Sequence, residues 1–330
     1  MAGPEDVVVR VARAGTCGSD LHAFEHGTFI SPGQVMGHEF SGDVVEVGAD
    51  VVDVSVGDRV TAVPLGMCGR CARCAEGNSH LCVQGLSQAI AYSKELPGAF
   101  AEYVRIPKAA VGRNLYRLPD PVDDAAVALV EPMAVACHSV RAALPGPSDT
   151  CVVTGLGSIG LNAVQMLRAS GAGRIVGIDI SPLRLQMATE LGAEIVVDGR
   201  HEDPVAALQA VTGADPAGSG AQADVVLETS GVPDLLAAAV RMTRPGGRLR
   251  VVALYGGPVT LDATMIVSKE LDISGSFGYR NEFGPVLSLL EQGRLRSAPL
   301  ITHTYPLSDI TAAFRTQLDK DSAIKVQLAS

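Results

Sequence analysis

The sequence has no excess of positive charge, no long apolar run and no export signal at its start. Its 26 Lys and Arg residues are outnumbered by 36 Asp and Glu residues, which gives a net charge of −10 and argues against nucleic acid or an anionic membrane as the main partner. No apolar run reaches the roughly 18 residues that a membrane span needs. The start, MAGPEDVVVRV, lacks a basic segment followed by an apolar core, so we do not expect a signal peptide. These absences predict a cytoplasmic globular protein.

Cysteine is scarce, and more than half of it lies in one short segment. Of seven cysteines, Cys68, Cys71, Cys74 and Cys82 follow the spacing C-x2-C-x2-C-x7-C. Where thiols stay reduced, clustered cysteines indicate metal ligands rather than disulfides. Four thiolates close a tetrahedral shell, which is typical of a structural zinc site; an iron–sulfur cluster and a set of free thiols are the alternatives. The segment 66–83 is therefore predicted to be a metal-bound lobe without a catalytic role.

A second group of potential metal ligands is spread over three segments. AGTCGSDLH supplies Cys17, MGHEFSG supplies His38 and Glu39, and VEPMAVACH supplies Glu131. One thiolate, one imidazole and one carboxylate leave a fourth coordination position open, as in a catalytic zinc site. Taken alone, His38 would more often be a buried core histidine. The assignment therefore depends on the nucleotide motif that accompanies it.

From Thr150 onward the pattern changes to alternating strands and helices that carry a nucleotide-binding motif. Gly155, Gly157 and Gly160 form GxGxxG between a strand and a helix, where glycines let the backbone approach a pyrophosphate at the helix N-terminus. The next strand ends at Asp179, whose carboxylate would bind a ribose 2′-hydroxyl and repel a 2′-phosphate, which favours NAD over NADP. A turn or N-cap role is the structural alternative for Asp179. The other residues expected at the cofactor are Ser158, Ile159, Arg184, Thr229 and Phe277.

Taken together, these segments resemble the zinc-containing medium-chain alcohol dehydrogenase family. The resemblance covers nearly the whole chain through GHEFSGDVVEVG, VGDRV, the cysteine lobe, GAFAEYV, GLGSIG and IKVQL, which occur in the family's order. Within the family, LVEPMAVACHSV and SGSFGYRNEF are most similar to the branch of sorbitol, 2,3-butanediol and threonine dehydrogenases. We therefore expect a zinc- and NAD-dependent oxidoreductase.

The resemblance implies two zinc ions per chain and a proton relay. Cys17 and His38 would bind the catalytic zinc, with Glu39 and Glu131 as alternating or water-linked third ligands, and the cysteine quartet would bind the structural zinc. In the implied relay, Ser19 would take the proton from the alcohol and His22 would pass it on through the nicotinamide ribose. Asp20 would orient His38.

The resemblance also implies the fold class, α/β, and its division into two domains. Residues 1–134 and 278–330 would form a GroES-like catalytic β-domain that includes the zinc lobe, and residues 135–277 would form a Rossmann NAD-binding domain. Such a chain is large enough for both, with 330 residues of which 47% are hydrophobic. The expected assembly is a homotetramer or homodimer.

The expected reaction is hydride transfer between NAD and a secondary alcohol of the small diol or hydroxyketone class. Polyol-specific relatives tend to carry arginine where this chain has Gly278, and its neighbours Phe277 and Tyr279 offer aromatic surface instead. A polyol, cyclitol or L-threonine dehydrogenase is the alternative within the family. A non-catalytic NAD-binding sensor or structural protein is the alternative of another class, although it would have no need of a proton relay.

Overall fold

The computed structural model describes residues 2–27, 30–213 and 221–330, and the chain divides into two compact units. The first unit comprises Met1–Ala134 and Tyr279–Ser330, and the second comprises Val135–Gly278. The described helices include none that is long and apolar enough to cross a membrane.

The first unit is built on a seven-stranded sheet with the order β12-β13-β1-β2-β3-β5, in which β4 also pairs with β1. Its strands are β1 (Val7–Gly15), β2 (Glu39–Val47), β3 (Arg59–Ala62), β4 (Tyr103–Ile106), β5 (Leu115–Arg117), β12 (Ile301–Pro306) and β13 (Lys325–Ala329). All the pairs are antiparallel except β12 with β13. Along β1, Val7, Val9 and Val11 are buried while Arg10 is exposed, as the two-residue period of a strand with one buried face requires.

The described helices that lie wholly within the first unit have nine residues or fewer. They are α1 (Gly18–His26), α2 (Ala72–Ala75), α3 (Asp124–Val127), α10 (Phe283–Glu291) and α11 (Ile310–Leu318), and α4 (Val130–Ala143) begins in this unit. The sheet packs around a core that includes Phe40, Phe100 and Phe314. Because β13 lies beside β1, the last described strand joins the same sheet as the first.

The second unit is a parallel six-stranded sheet with the order β11-β10-β9-β6-β7-β8. Its strands are β6 (Thr150–Thr154), β7 (Arg174–Asp179), β8 (Ile195–Asp198), β9 (Ala223–Glu228), β10 (Thr243–Val251) and β11 (Asp272–Gly275). The helices α5 (Ser158–Ser170), α6 (Pro182–Leu191), α7 (Pro204–Thr212), α8 (Pro233–Met242) and α9 (Ala263–Ser268) follow in alternation. Central strand residues such as Val152, Val176 and Val226 are fully buried, as expected for strands covered on both faces. The predicted α/β fold class is confirmed.

Candidate functional site

The four clustered cysteines come together in the lobe that follows β3. Their sulfur atoms all lie within 4.8 Å of one another, and all four are free thiols. Backbone N–H groups point at the sulfurs: Cys68 N lies 3.3 Å from Cys82 Sγ, and Cys71 N lies 3.4 Å from Cys68 Sγ. The N–H groups of Cys74 and Val83 lower the pKa of the Cys71 thiol to about 6, which favours the thiolate that binds metal. The donor set is all sulfur and closed, and it fits a tetrahedral zinc ion.

A second group of donors forms where β1 and β2 meet. Cys17, His38 and Glu39 each supply one potential ligand atom, and these three atoms all lie within 4.8 Å of one another. Cys17 caps the N-terminus of α1, and Glu39 pairs with Gly15 across the two strands. A Cβ on Gly15 would collide with the Glu39 carboxylate, so the close approach needs glycine at this position. Three protein donors of mixed type fit a zinc ion that keeps one position open.

Asp20 contacts two of these three residues, His38 and Cys17. Its Oδ1 lies 3.7 Å from His38 Nδ1, and its Oδ2 accepts a hydrogen bond of 2.9 Å from Cys17 N. Burial alone would lower the pKa of His38, but the carboxylate of Asp20 and the neighbouring Tyr92 and Cys17 raise that pKa well above its usual 6.5. Asp20 is therefore placed to hold the imidazole in one orientation.

Glu39 has a second partner that the sequence did not indicate. Lys325, at the start of β13, donates to both carboxylate oxygens of Glu39 at 2.9 and 2.7 Å and to the Thr16 carbonyl at 2.8 Å. Glu39 and Lys325 are 0% and 2% exposed. Burial lowers the pKa of Lys325, but Glu39, Cys17 and Glu131 together raise it, and the net shift is upward. The predicted third ligand thus forms a buried ion pair with a lysine 286 residues away.

Glu131 lies on the first turn of α4 and outside the 4.8 Å group of donors. Burial raises the pKa of Glu131 to about 7, while the charge of His38 acts in the opposite direction. Burial and then the Glu131 carboxylate raise the pKa of Tyr279 well above 10. Of the two candidate third ligands, Glu39 is therefore the one whose carboxylate lies with Cys17 and His38.

The two residues of the predicted relay both lie on α1. Ser19 Oγ lies 3.4 Å from the phenol oxygen of Tyr92, and the His22 ring lies 6.0 Å from the His26 ring. The ring of Tyr92 also packs against His38, with centroids 5.6 Å apart. Sequence reasoning missed Tyr92, because a single aromatic residue after the cysteine lobe carries no spacing that links it to α1.

In the second unit the three glycines form the turn between β6 and α5. Gly155 has a φ of +82°, which favours glycine, and a Cβ on Gly160 would collide with the Gly155 carbonyl. Thr229 donates to the carbonyl oxygens of Gly155 and Thr154 at 2.6 and 3.0 Å, which ties the turn to the end of β9. Ser158 and Ile159 open α5 directly after Gly157.

Asp179 lies at the end of β7 as predicted, and its carboxylate organises the neighbouring backbone. Oδ2 accepts from Leu156 N at 2.5 Å, and Oδ1 accepts from Ile180 N and Ser181 N at 2.7 and 2.9 Å. The turn role that was the structural alternative is therefore present. It leaves the cofactor role as a prediction, because a carboxylate oxygen can accept more than one hydrogen bond.

The other two expected cofactor residues lie at different places in the second unit. A guanidinium nitrogen of Arg184 lies 4.0 Å from the position that a Cβ would take on Gly157, so it borders the glycine turn. Phe277 follows β11 and is 43% exposed. Their contacts with a cofactor remain predictions.

Two protein-family models match the chain. The one described as "Alcohol dehydrogenase GroES-like domain" matches residues 3–120, and the one described as "Zinc-binding dehydrogenase" matches residues 158–292. The metal donors Cys17, His38 and Glu39 and the cysteine quartet lie within the first match, and the glycine turn from Ser158 onward lies within the second.

Curated proteins and solved structures are similar over almost the whole chain. An L-threonine 3-dehydrogenase from Bacillus velezensis is 35% identical over 316 residues, which are 94% of this chain and 87% of the relative. A sorbitol dehydrogenase from Bacillus subtilis is 32% identical over 332 residues, 98% of this chain and 90% of the relative. The crystal structure of 2R,3R-butanediol dehydrogenase from Bacillus subtilis has a TM-score of 0.87 at 33% identity and covers 100% of this chain and 94% of that one.

Proposed function

This chain belongs to the zinc-containing medium-chain alcohol dehydrogenase family, and we propose that it oxidises a compact secondary alcohol of the vicinal diol or hydroxyketone class with NAD. The observation that carries the proposal is the group of Cys17, His38 and Glu39, together with a small cavity that both His38 and Ser19 line. In this proposal residues 1–134 and 278–330 form the catalytic domain and residues 135–277 the NAD-binding domain.

The two donor groups would hold two zinc ions with different tasks. Cys68, Cys71, Cys74 and Cys82 would hold a structural ion, because four thiolates leave no position for substrate. Cys17, His38 and Glu39 would hold the catalytic ion, with Glu131 as an alternative or water-linked ligand. When bound, zinc would supply a Lewis acid that lowers the pKa of the substrate hydroxyl, and NAD would supply the hydride acceptor.

The chain's own residues would handle the proton. Ser19 lines the same cavity as His38 and would take the proton from the substrate hydroxyl, and His22, one turn further along α1, would return it to solvent. Asp20 would keep His38 in place through the contact at 3.7 Å. The buried pair of Lys325 and Glu39 would hold the carboxylate beside Cys17.

Substrate size follows from the absence of a cation at position 278. Gly278 provides no guanidinium to bind the hydroxyls of a long sugar alcohol, and loss of such a charged hydrogen bond costs about 1.5–3 kcal/mol. A short diol or hydroxyketone would not use that bond. The similarity to threonine dehydrogenases keeps L-threonine as the second candidate.

A metal analysis and a substrate comparison test this function. We expect about two zinc ions per chain, one for each donor group, and kcat/KM for 2,3-butanediol with NAD should exceed that for sorbitol by about tenfold or more. NADH absorbance follows the reaction with butanediol, sorbitol and L-threonine in parallel. Preference for sorbitol or L-threonine would replace the proposed substrate class, and a zinc-loaded protein that turns over no alcohol would favour a non-catalytic NAD-binding protein.

The choice of NAD is tested at Asp179. Asp179→Ala should weaken NAD binding and raise kcat/KM with NADP relative to NAD by about tenfold, since a 2′-phosphate would no longer meet a carboxylate. Asp179→Asn is the matched variant, because it removes the charge and keeps one acceptor oxygen, which can still accept from the backbone N–H groups of Ile180 and Ser181. Steady-state kinetics with both cofactors give the ratio. A wild-type preference for NADP, or two variants whose ratio does not change, would contradict the assignment.

We also infer that the chain assembles as a homodimer or homotetramer. Among the described strands β11 pairs only with β10, and its residues Asp272, Ser274 and Gly275 are exposed. On α9, the helix that precedes β11 in the chain, Val267 is 76% exposed. An open strand edge beside apolar surface is a common pairing site for a second chain, and a monomer mass in light scattering would disprove the inference.

A further inference from the structure

Tyr92 lies against the candidate active site although no motif includes it. It follows the cysteine lobe, and its phenol oxygen lies 3.4 Å from Ser19 Oγ. Its ring packs against the His38 ring at a centroid distance of 5.6 Å. The side chain therefore contacts both the residue proposed to take the substrate proton and a residue proposed to bind the metal.

The backbone before Tyr92 is held in an uncommon conformation. Ala91 has a φ of +75° and is 5% exposed. Its carbonyl accepts a hydrogen bond of 2.7 Å from Gln34 Nε2, and its N–H donates to the Leu96 carbonyl at 2.9 Å. A left-handed conformation at a residue other than glycine costs free energy and persists only where its surroundings fix it. The backbone before Tyr92 is thus held from the distant Gln34 and, within the loop, by Leu96.

Two hydroxyl groups so arranged match a substrate with two oxygens. At 3.4 Å the bond between Ser19 and Tyr92 is longer than a strong O–H···O hydrogen bond, so an incoming oxygen can replace it. The distance between the Ser19 and Tyr92 hydroxyl oxygens is similar to the distance between two oxygens on adjacent carbon atoms of a vicinal diol. If the first oxygen lies at Ser19, the second comes within reach of the phenol.

The cavity beside Ser19 and Tyr92 favours a substrate whose second oxygen belongs to an uncharged group. The described residues that line the small cavity next to Ser19 and Tyr92 include no lysine or arginine. Its other lining residues are the polar Asp20 and His38 and the apolar Ala23, Ile30, Met36 and Ala91. A substrate carboxylate would meet the carboxylate of Asp20 there and no lysine or arginine, and burying a charge beside a like charge is costly. A hydroxyl or a carbonyl oxygen needs only the hydrogen bond that the phenol donates.

We propose that Tyr92 is a specificity-determining residue that hydrogen-bonds the second oxygen of a vicinal diol and of the hydroxyketone formed from it. This inference rests on the proposed function, since it concerns the same site. The phenol can donate to the hydroxyl of the substrate and to the same atom of the product. A simple secondary alcohol has no atom to fill this position and gains nothing from it.

The test is Tyr92→Phe, which removes one oxygen atom and keeps the ring against His38. We expect kcat/KM for 2,3-butanediol to fall by about tenfold, as for the loss of one hydrogen bond, while kcat/KM for 2-butanol stays within about twofold. Tyr103→Phe is the matched control, because Tyr103 lies on β4 and is 52% exposed. It should change neither value. Calorimetric titration of the zinc-loaded protein with 2,3-butanediol in the absence of NAD should show a matching loss of affinity in the Tyr92 variant.

The outcomes separate the two proposals. If the wild type oxidises both alcohols and Tyr92→Phe slows them equally, or slows neither, Tyr92 does not select the second oxygen and only this inference fails. If the wild type oxidises neither alcohol, the proposed function is wrong, and this inference, which rests on it, is wrong as well. Should Tyr92→Phe have a lower melting temperature, Tyr92→Leu and the calorimetric affinities decide, because a purely structural role would weaken the binding of both alcohols alike.

Discussion

Replacing Lys325 by methionine will lower the free energy of unfolding by about 3–5 kcal/mol, because it leaves the carboxylate of Glu39 buried without a partner. Lys325 Nζ now donates to both oxygens of Glu39 and to the Thr16 carbonyl, and Glu39 is fully buried. Methionine fills a similar volume but offers no donor. Chemical denaturation of the zinc-free protein measures the loss without a contribution from the metal.

Two further variants test whether the loss of stability comes from the ion pair of Lys325 and Glu39. Lys320→Met removes a lysine that is exposed at the end of α11, and its effect should stay within about 0.5 kcal/mol. Combining Lys325→Met with Glu39→Gln should recover part of the lost stability, since the buried charge is removed with its partner. A loss below about 1 kcal/mol for Lys325→Met alone would mean that water enters and solvates Glu39, and that the pair does not hold the sheet together.

Cys74→Ser should reduce the zinc content from two ions per chain to one and destabilise the lobe at residues 66–83. The donor set there consists of four thiolates, and a structural metal contributes its binding free energy to folding. We expect the melting temperature to fall by about 5 °C or more and the lobe to become sensitive to proteases. Metal analysis and limited proteolysis follow the two effects.

Cys137→Ser provides the comparison, because Cys137 is a buried thiol on α4 outside both donor groups. That variant should keep both zinc ions and an intact lobe. Full zinc content and an unchanged melting temperature in Cys74→Ser would show that the quartet is a set of free thiols. The alternative of an iron–sulfur cluster predicts iron and visible absorbance in the wild type instead.

The parts of the site that the sequence predicted are those whose residues are close along the chain or share a motif. The cysteine quartet spans the segment 68–82 and the glycine turn spans 155–160, so spacing alone identified both. Cys17, His38 and Glu39 were recognised as potential ligands by their residue types, and the resemblance to a family implied their role at a catalytic zinc. The predicted residue roles, the cytoplasmic location and the assembly remain predictions.

What could not be predicted depends on contacts between distant segments. Lys325 reaches Glu39 only because β13 pairs with β1, and Tyr92 reaches Ser19 only through a loop held by Gln34. Neither lysine nor tyrosine carries a spacing signal that names its partner. For Asp179, too, the sequence predicted the position of the residue but not its contacts. Its position at the strand end was predictable, but the three backbone N–H groups that it accepts from became visible only with the turn itself.

The insertion of the second unit between the two parts of the first has a consequence for biosynthesis. A ribosome releases residues 135–278 as one continuous stretch, so the parallel sheet has all its strands before β12 and β13 have been made. The seven-stranded sheet must wait for β13, and until then Glu39 has no lysine beside it. The nascent chain therefore carries all the strands of the parallel sheet while the seven-stranded sheet is still incomplete, and Glu39 gains its buried partner only once β13 has been made.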